Sequence, residues 1–309
     1  MEKLLYPLKL QAIYRSTIWG GRRLMDEYSK KCDLDNLAES WELSCRPDAM
    51  NVIENGEYAG KELCWYYDKL TKDFPLLVKL IDAEDKLSIQ VHPDDEYARI
   101  HENQYGKTEM WYIVDAKPGA KLVYGLKNYD KDSFAEAAKT GDTEKFMNFV
   151  DVKKGDCFFI PAGCVHAIGE GILIAEVQQS SNVTYRVFDY NRRDKEGNLR
   201  ELHVAKALDV IKDYTPEEMD NIRFEKSRSP EKLVDCKYFS VEKHDVSGKL
   251  EMQVKDSFTH VLCLDGEGEI DGYKIAKGDS YLLPAKEDGT AKVYTVSGNL
   301  SFICAKSYE

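Results

Sequence analysis

KKGDCFFIPAGCVHAI, residues 153–168, recurs in reduced form at 276–293 as AKGDSYLLPAKEDGTAKV. Both copies share a Gly-Asp-x-aromatic-hydrophobic-hydrophobic-Pro-Ala core, which is a short apolar run closed by turn residues at each end and reads as a strand. Upstream, MWYIVDAKPGA (110–120) loosely matches HVLCLDGEGEI (260–270). One strand–turn unit present twice predicts two related β-barrel modules. The two half-motifs lie further apart in the first copy, which carries the segment 131–150 as an insert.

Working outward, further apolar runs bounded by Gly, Pro or charged residues are PLLVKLI (75–81), KLSIQVH (86–92), EMWYIVD (109–115), GILIAEV (171–177) and LSFICAK (300–306). Their Val, Ile, Phe and Tyr content argues for a mainly β chain, a sandwich or barrel. Helical periodicity is confined to KDSFAEAAKTGDTEKFMNFV (131–150), read as two short helices around Gly141, and LHVAKALDVI (202–211). The polar stretch 215–232, with Pro216 and Pro230, reads as the connector between the modules.

The 309 residues carry 43 Lys and Arg against 55 Asp and Glu, a net charge of −12. Such a chain is a poor fit to nucleic acid or anionic membrane, so an anionic ligand must be held by a few placed cations. No apolar run approaches the roughly 18 residues of a spanning helix, and MEKLLYPLKLQAIYRSTIWG does not read as a signal peptide. The eight cysteines are scattered without a CxxC, which predicts free thiols and a cytoplasmic setting. The charge is compatible with a monomer or a homo-oligomer.

The repeat also acts as an internal control. With Gly155 set against Gly278, His166 falls opposite Gly289 and Glu109 opposite Thr259. Chemistry that needs both His and Glu is therefore expected only in the first module. In KLSIQVHPDD, strand alternation puts Ser88, Gln90 and His92 on one face and Leu87, Ile89 and Val91 on the other, with Pro93 ending the strand. Lys107 and Glu109 are again two apart at the start of a strand, and His166 follows a Pro-Ala-Gly turn. Two His, one Glu and one Gln suit zinc, and equally Fe(II), Mn or Co, in an open site without thiolate. A histidine in a strand is also an ordinary core residue, and His101, His203, His244 and His260 are read as structural or exposed.

PLLVKLIDAEDKLSIQVHPDD, GKTEMWYIV, PAGCVHAIGEGILIAEVQQSSNVTYRVFDYNR and LAESWELSCRPDA together resemble type I mannose-6-phosphate isomerases, in particular the short bacterial form. The resemblance runs in order from about residue 5 to 211 and more weakly beyond. It implies two cupin (jelly-roll) modules with a small helical insertion, a catalytic one over 1–228 and a C-terminal one over 229–309 without metal ligands. It implies one zinc ion per chain on Gln90, His92, Glu109 and His166, a sugar phosphate as substrate, and Arg186 as the active-site arginine. Lys107 and Glu176 match a lysine and a carboxylate of the family motifs. Two departures matter. The long forms carry a large helical insertion where only 131–150 stands here, and they read Ser-Asp-Asn where this chain has Ser180-Ser181-Asn182, so an acid assigned to that Asp does not transfer.

Aldose–ketose isomerisation needs an acid/base for ring opening, a base near C1 and C2, and stabilisation of the developing oxyanion. Lys107 and Glu176 are joint candidates for proton transfer; burial in GILIAEV is expected to raise the Glu176 pKa. Arg186 and Arg192 are candidate phosphate cations, with Arg193 read as a solvated turn. Lys79, inside PLLVKLI, is a substrate contact or a snorkelling edge residue. Ser88 and Trp41, with Glu39 beside it, are placed near the pocket. Another sugar or sugar phosphate, a sugar-phosphate sensor without turnover, and an iron-dependent oxygenase on the same scaffold are the competing readings.

Overall fold

The computed structural model describes residues 3–67, 74–194, 196–226, 231–255 and 257–308. Three sheets dominate it. A six-stranded sheet has the order Cys157–Ile160, Glu109–Ala116, Ile172–Gln179, Leu76–Ala83, Glu39–Leu43, Ile13–Arg15. A five-stranded sheet has the order Met147–Asp151, Lys121–Leu126, His166–Ile168, Ile89–Val91, Tyr185–Phe188. An eight-stranded sheet carries the C-terminal region, where Phe239–Val254 and Lys292–Ser307 pair along their full length from Phe239 opposite Ser307 to Val254 opposite Lys292. Every apolar run read as a strand lies in one of these sheets.

Alternation decides how the layers stack. Along Glu109–Ala116, Trp111 and Ile113 face the five-stranded sheet and join Phe158, Ile160, Leu122, Tyr124, Ile168 and Ile174 in one core. Met110, Tyr112 and Val114 face the opposite way, into a second core shared with Val241, Phe258, Leu262, Leu282 and Ile303 of the eight-stranded sheet. A strand buried on both faces has no polar-out positions to spare, which is why 109–114 and 172–179 are buried throughout. Polar residues within them therefore need a reason. No sheet closes on itself among the described residues. The flanking strands Cys157–Ile160 and Tyr185–Phe188 have only four residues each, and side chains, not backbone pairing, join the first two layers.

The helical expectations hold in part. Lys131–Thr140 is a helix, started by the Asp130 side chain accepting from Ser133 N and ended by Gly141 in the left-handed region at φ 85°. The second half of that segment is not a helix: after one short turn at Glu144–Phe146 it becomes the edge strand Met147–Asp151. Pairing with Lys121–Leu126 outweighs the helical period there. Helices Lys131–Thr140 and Val204–Val210 cover the outer face of the five-stranded sheet. The stretch read as a connector forms the helix Pro216–Lys226, whose Met219 is fully buried in the core between the two sheets. Pro230 and the expected module boundary at 228/229 lie outside the described residues.

The first strand, Leu8–Gln11, pairs with Ser280–Pro284 (Leu8 opposite Leu282) and also with Val52–Ile53, so the N-terminal segment is built into the C-terminal sheet. All eight cysteines are free thiols, and no described helix is long and apolar enough to cross a membrane. Leu8 and Leu282 are both fully buried in the core between the eight- and six-stranded sheets. Leu8→Ala should destabilise the protein by about 2–5 kcal/mol, read as a lowered urea midpoint with an unchanged slope.

Candidate active site and metal centre

The site lies between the inner faces of the five- and six-stranded sheets. Cross-strand register sets it out in rows. On one sheet, Tyr124, His166, Gln90 and Arg186 are neighbours across four strands. On the other, Trp41, Lys79, Glu176 and Trp111 form one row, and Glu109 with Gln178 a parallel one. The Trp111 ring meets the His166 ring edge-on at 5.4 Å, which brings the two layers together at this point.

His92, Glu109 and His166 are all buried and converge. Each imidazole points its Nδ1 at a backbone carbonyl, His92 at Val183 and His166 at Cys164, both at 2.9 Å. A carbonyl can only accept, so Nδ1 carries the proton and Nε2 is left as a lone-pair donor. The two Nε2 atoms face each other at 3.1 Å. Glu109 Oε1 stands 3.3 Å from His166 Nε2 without a hydrogen-bond donor of its own, and Oε2 stands 3.6 Å from His92 Nε2 and 2.9 Å from Lys107 Nζ. Two facing imidazole lone pairs, buried beside a carboxylate oxygen that has no hydrogen-bond donor, are unfavourable unless a cation sits among them. The donor set and its geometry therefore fit a divalent metal. The Gln90 amide nitrogen is 3.3 Å from His166 Nε2, and turning the amide over presents its oxygen to the same point. Burial, with Lys107 and the second imidazole adding to it, pushes His92 well below the usual histidine range; burial likewise brings His166 down to about 4. Both are neutral ligands at neutral pH.

Around this centre the charges alternate. Lys107 Nζ is 2.9 Å from Glu109. Lys79 Nζ is 3.3 Å from Glu176 and 3.5 Å from Glu39, and lies over the Trp41 ring at 5.0 Å. Trp111 Nε1 donates to Glu176 at 2.9 Å, and Trp41 Nε1 to Glu39 at 2.7 Å. Lys79 is thus buried and ion-paired, which removes the snorkelling reading. The expected rise in the Glu176 pKa is corrected: burial does act upward, but Lys107 and Lys79 outweigh it and bring Glu176 down to about 2. Burial with the Glu176 charge nearby lifts Glu109 to about 7, against Lys107.

The remaining sequence candidates fall in different places. Ser88 is buried just ahead of the strand that carries Gln90. Arg186 donates through Nη1 to the Glu201 carbonyl, and its Nε is buried without a partner. No carboxylate pairs with it among the described residues. Arg192 is not free in this way: its guanidinium is engaged by Asp189, Asp85 and the Lys86 carbonyl. Two further residues join the site, neither given a role in the sequence reading, although Gln178 is the alternation partner of Glu176. Trp111 holds Glu176, and Gln178 stands opposite Glu109 with its Oε1 buried and unpartnered. Alternation from Glu109 and from Glu176 points to both.

A β sandwich with a His/Glu/His group between its layers is a cupin-type scaffold. The mannose-6-phosphate isomerase cupin-domain model matches residues 229–307, and the phosphomannose isomerase type I catalytic-domain model matches 7–118. Mannose-6-phosphate isomerase from Streptococcus mutans is 37% identical over 98% of this chain and 99% of its own length. Mannose-6-phosphate isomerase ManA from Bacillus subtilis is 39% identical over 90% of this chain and 93% of its own. The crystal structure of the Bacillus subtilis mannose 6-phosphate isomerase superposes with a TM-score of 0.86 at 33% identity, covering 97% of this chain and 99% of that one. The chain belongs to the mannose-6-phosphate isomerase family and is an enzyme of it.

Metal analysis after dialysis should find one equivalent fewer on His166→Ala or Glu109→Ala than on the wild type. Gln90→Ala should keep that equivalent with affinity reduced roughly 10- to 100-fold, as for a supporting contact.

Proposed function

We infer that the enzyme interconverts mannose 6-phosphate and fructose 6-phosphate, with one zinc ion held by His92, Glu109 and His166 and assisted by Gln90. The observation that carries the reading is the pair of facing Nε2 atoms with Glu109 Oε1 beside them, in a chain whose relatives bear this isomerase name. Bound zinc supplies Lewis-acid polarisation of the sugar's carbonyl and hydroxyl oxygens. The free thiols fit a reducing cytoplasm.

The chain's own residues divide the remaining work. The reaction moves a proton from C2 to C1, or back, through an enediol, with matching transfers at the two oxygens. Glu176, kept ionised by Lys79 and Lys107, is the carboxylate that accepts a carbon-bound proton and returns it. Trp111 and Lys79 hold that carboxylate in place from two sides. Lys107, beside Glu109, is a positive donor to a developing oxyanion. Arg186, a guanidinium without a carboxylate partner, takes the phosphate and fixes the register of the substrate. Arg192, already saturated by Asp189 and Asp85, has only a supporting role in holding that loop.

In a coupled isomerase assay, chelator-treated enzyme should be inactive and recover with zinc, and His92→Ala should not recover. Glu176→Gln should lower kcat roughly 10²- to 10⁴-fold, in the range of a lost acid/base, while the protein still binds metal. Full activity in Glu176→Gln would transfer the proton-transfer role to Lys107, for which Lys107→Met is the matching test. Arg186→Met should raise KM for the phosphorylated sugar. Loaded enzyme that turns over other sugar phosphates but not mannose 6-phosphate would overturn the substrate assignment.

A further inference from the structure

A second group of metal-ligating side chains lies in the C-terminal region. Glu242, His244 and Cys304 bring one donor atom each within 4.8 Å of one another. Strand geometry explains the meeting. Glu242 and His244 are two apart on Phe239–Val254 and share a face, and Cys304 is the cross-strand partner of Glu242. Their neighbours Val241, Ile303 and Ala305 point the other way, into the core shared with the first module. Cys304 instead belongs to the core on the far face, with Val246 and Phe302. The eight- and six-stranded sheets therefore stand between this group and His92, Glu109 and His166.

The group has the makings of a site. His244 Nε2 is 3.4 Å from Glu242, and its ring rests against Phe302 at 5.3 Å, which fixes its plane. Cys304 is buried, whereas the Glu242 and His244 side chains are 31% and 21% exposed. An ion thus has a way in and room to keep water. Lys306, 3.9 Å from Glu242, and Lys232, opposite Glu242 in register, are the cations nearby. An imidazole nitrogen, a carboxylate oxygen and a thiolate suit zinc, cobalt(II) or nickel(II), and do not suit magnesium or calcium.

We propose that Glu242, His244 and Cys304 form a second divalent transition-metal site, of zinc type, that ties the strands Phe239–Val254 and Lys292–Ser307 together in the C-terminal module. On binding, the Cys304 S–H bond is replaced by a sulfur–metal bond, the proton leaves to solvent, and water completes the coordination; nothing is oxidised or reduced. The site is independent of the catalytic reading, since it shares no residue with it.

The test is a cobalt(II) titration of the metal-free, full-length chain, with stoichiometry from dialysis. The wild type should take up about two equivalents and develop a near-ultraviolet sulfur-to-cobalt charge-transfer band; a His/Glu/Gln centre has no sulfur ligand and cannot give one. His166→Ala should lose one equivalent and keep the band. Cys304→Ser should lose the band and one equivalent, with zinc-dependent isomerase activity unchanged. His244→Gln, at a partly exposed position, should do the same and serves if the buried cysteine variant fails to fold. One equivalent without the band, or a band that survives in Cys304→Ser, would overturn the proposal.

Discussion

Two imidazole lone pairs and a carboxylate face one another in a closed space between two sheets, and most of the five- and six-stranded sheets can be understood as the means of keeping them there. Each histidine is fixed by a backbone carbonyl behind it, so the ligand tautomer is set by main-chain geometry at Val183 and Cys164. Those carbonyls belong to the turns that enter the strands Tyr185–Phe188 and His166–Ile168. The sheet thus positions the two imidazoles twice, once through the strand that carries His166 or ends just before His92 and once through the carbonyl that orients each ring. Like-charged or lone-pair groups in such a place are costly without a compensating cation, so the interior is arranged as a group that could hold one.

The same constraint explains the ion pairs around it. Glu39, Lys79, Glu176, Lys107 and Glu109 alternate in sign across the interior. Burial disfavours every one of these charges alone, and each is kept by a neighbour of opposite sign. Glu176 is depressed and Glu109 raised because the two lysines favour the first while burial dominates at the second. Glu176 is thus held ionised, anchored by an indole and a lysine, without any rearrangement of its surroundings.

The C-terminal sheet contributes from behind. Its inner face completes the core under the strand Glu39–Leu43, and a polar chain crosses the boundary: Lys30 bridges the fully buried Glu42 and the Gly278 carbonyl, while Ser280 donates to the Glu42 carbonyl and contacts His260. Glu42 and Trp41 are neighbours on one strand and point to opposite sides, so the contacts with the eight-stranded sheet also bear on the wall of the site.

What the sequence determined was the class of fold and which side chains, His92, Glu109 and His166 among them, could meet on one face. Alternation in KLSIQVH, the Lys-x-Glu strand and the Pro-Ala-Gly turn before His166 are local features, and a strand of period two leaves little choice about which face a residue takes. Charge density and the lack of any CxxC were equally local. Tertiary structure decided everything that depends on which strands lie side by side. It made 147–151 a strand against its helical period, turned a polar connector into a helix that plugs the core, and brought Asp85 from a distant loop to Arg192 while leaving Arg186 without a carboxylate among the described residues. It reversed the expected shift at Glu176, because a pKa follows the nearest charges, and Lys79 and Lys107 reach it only across strands. It placed Cys304 beside Glu242 and His244 for the same reason: register between distant segments is set by packing, and no spacing along the chain records it.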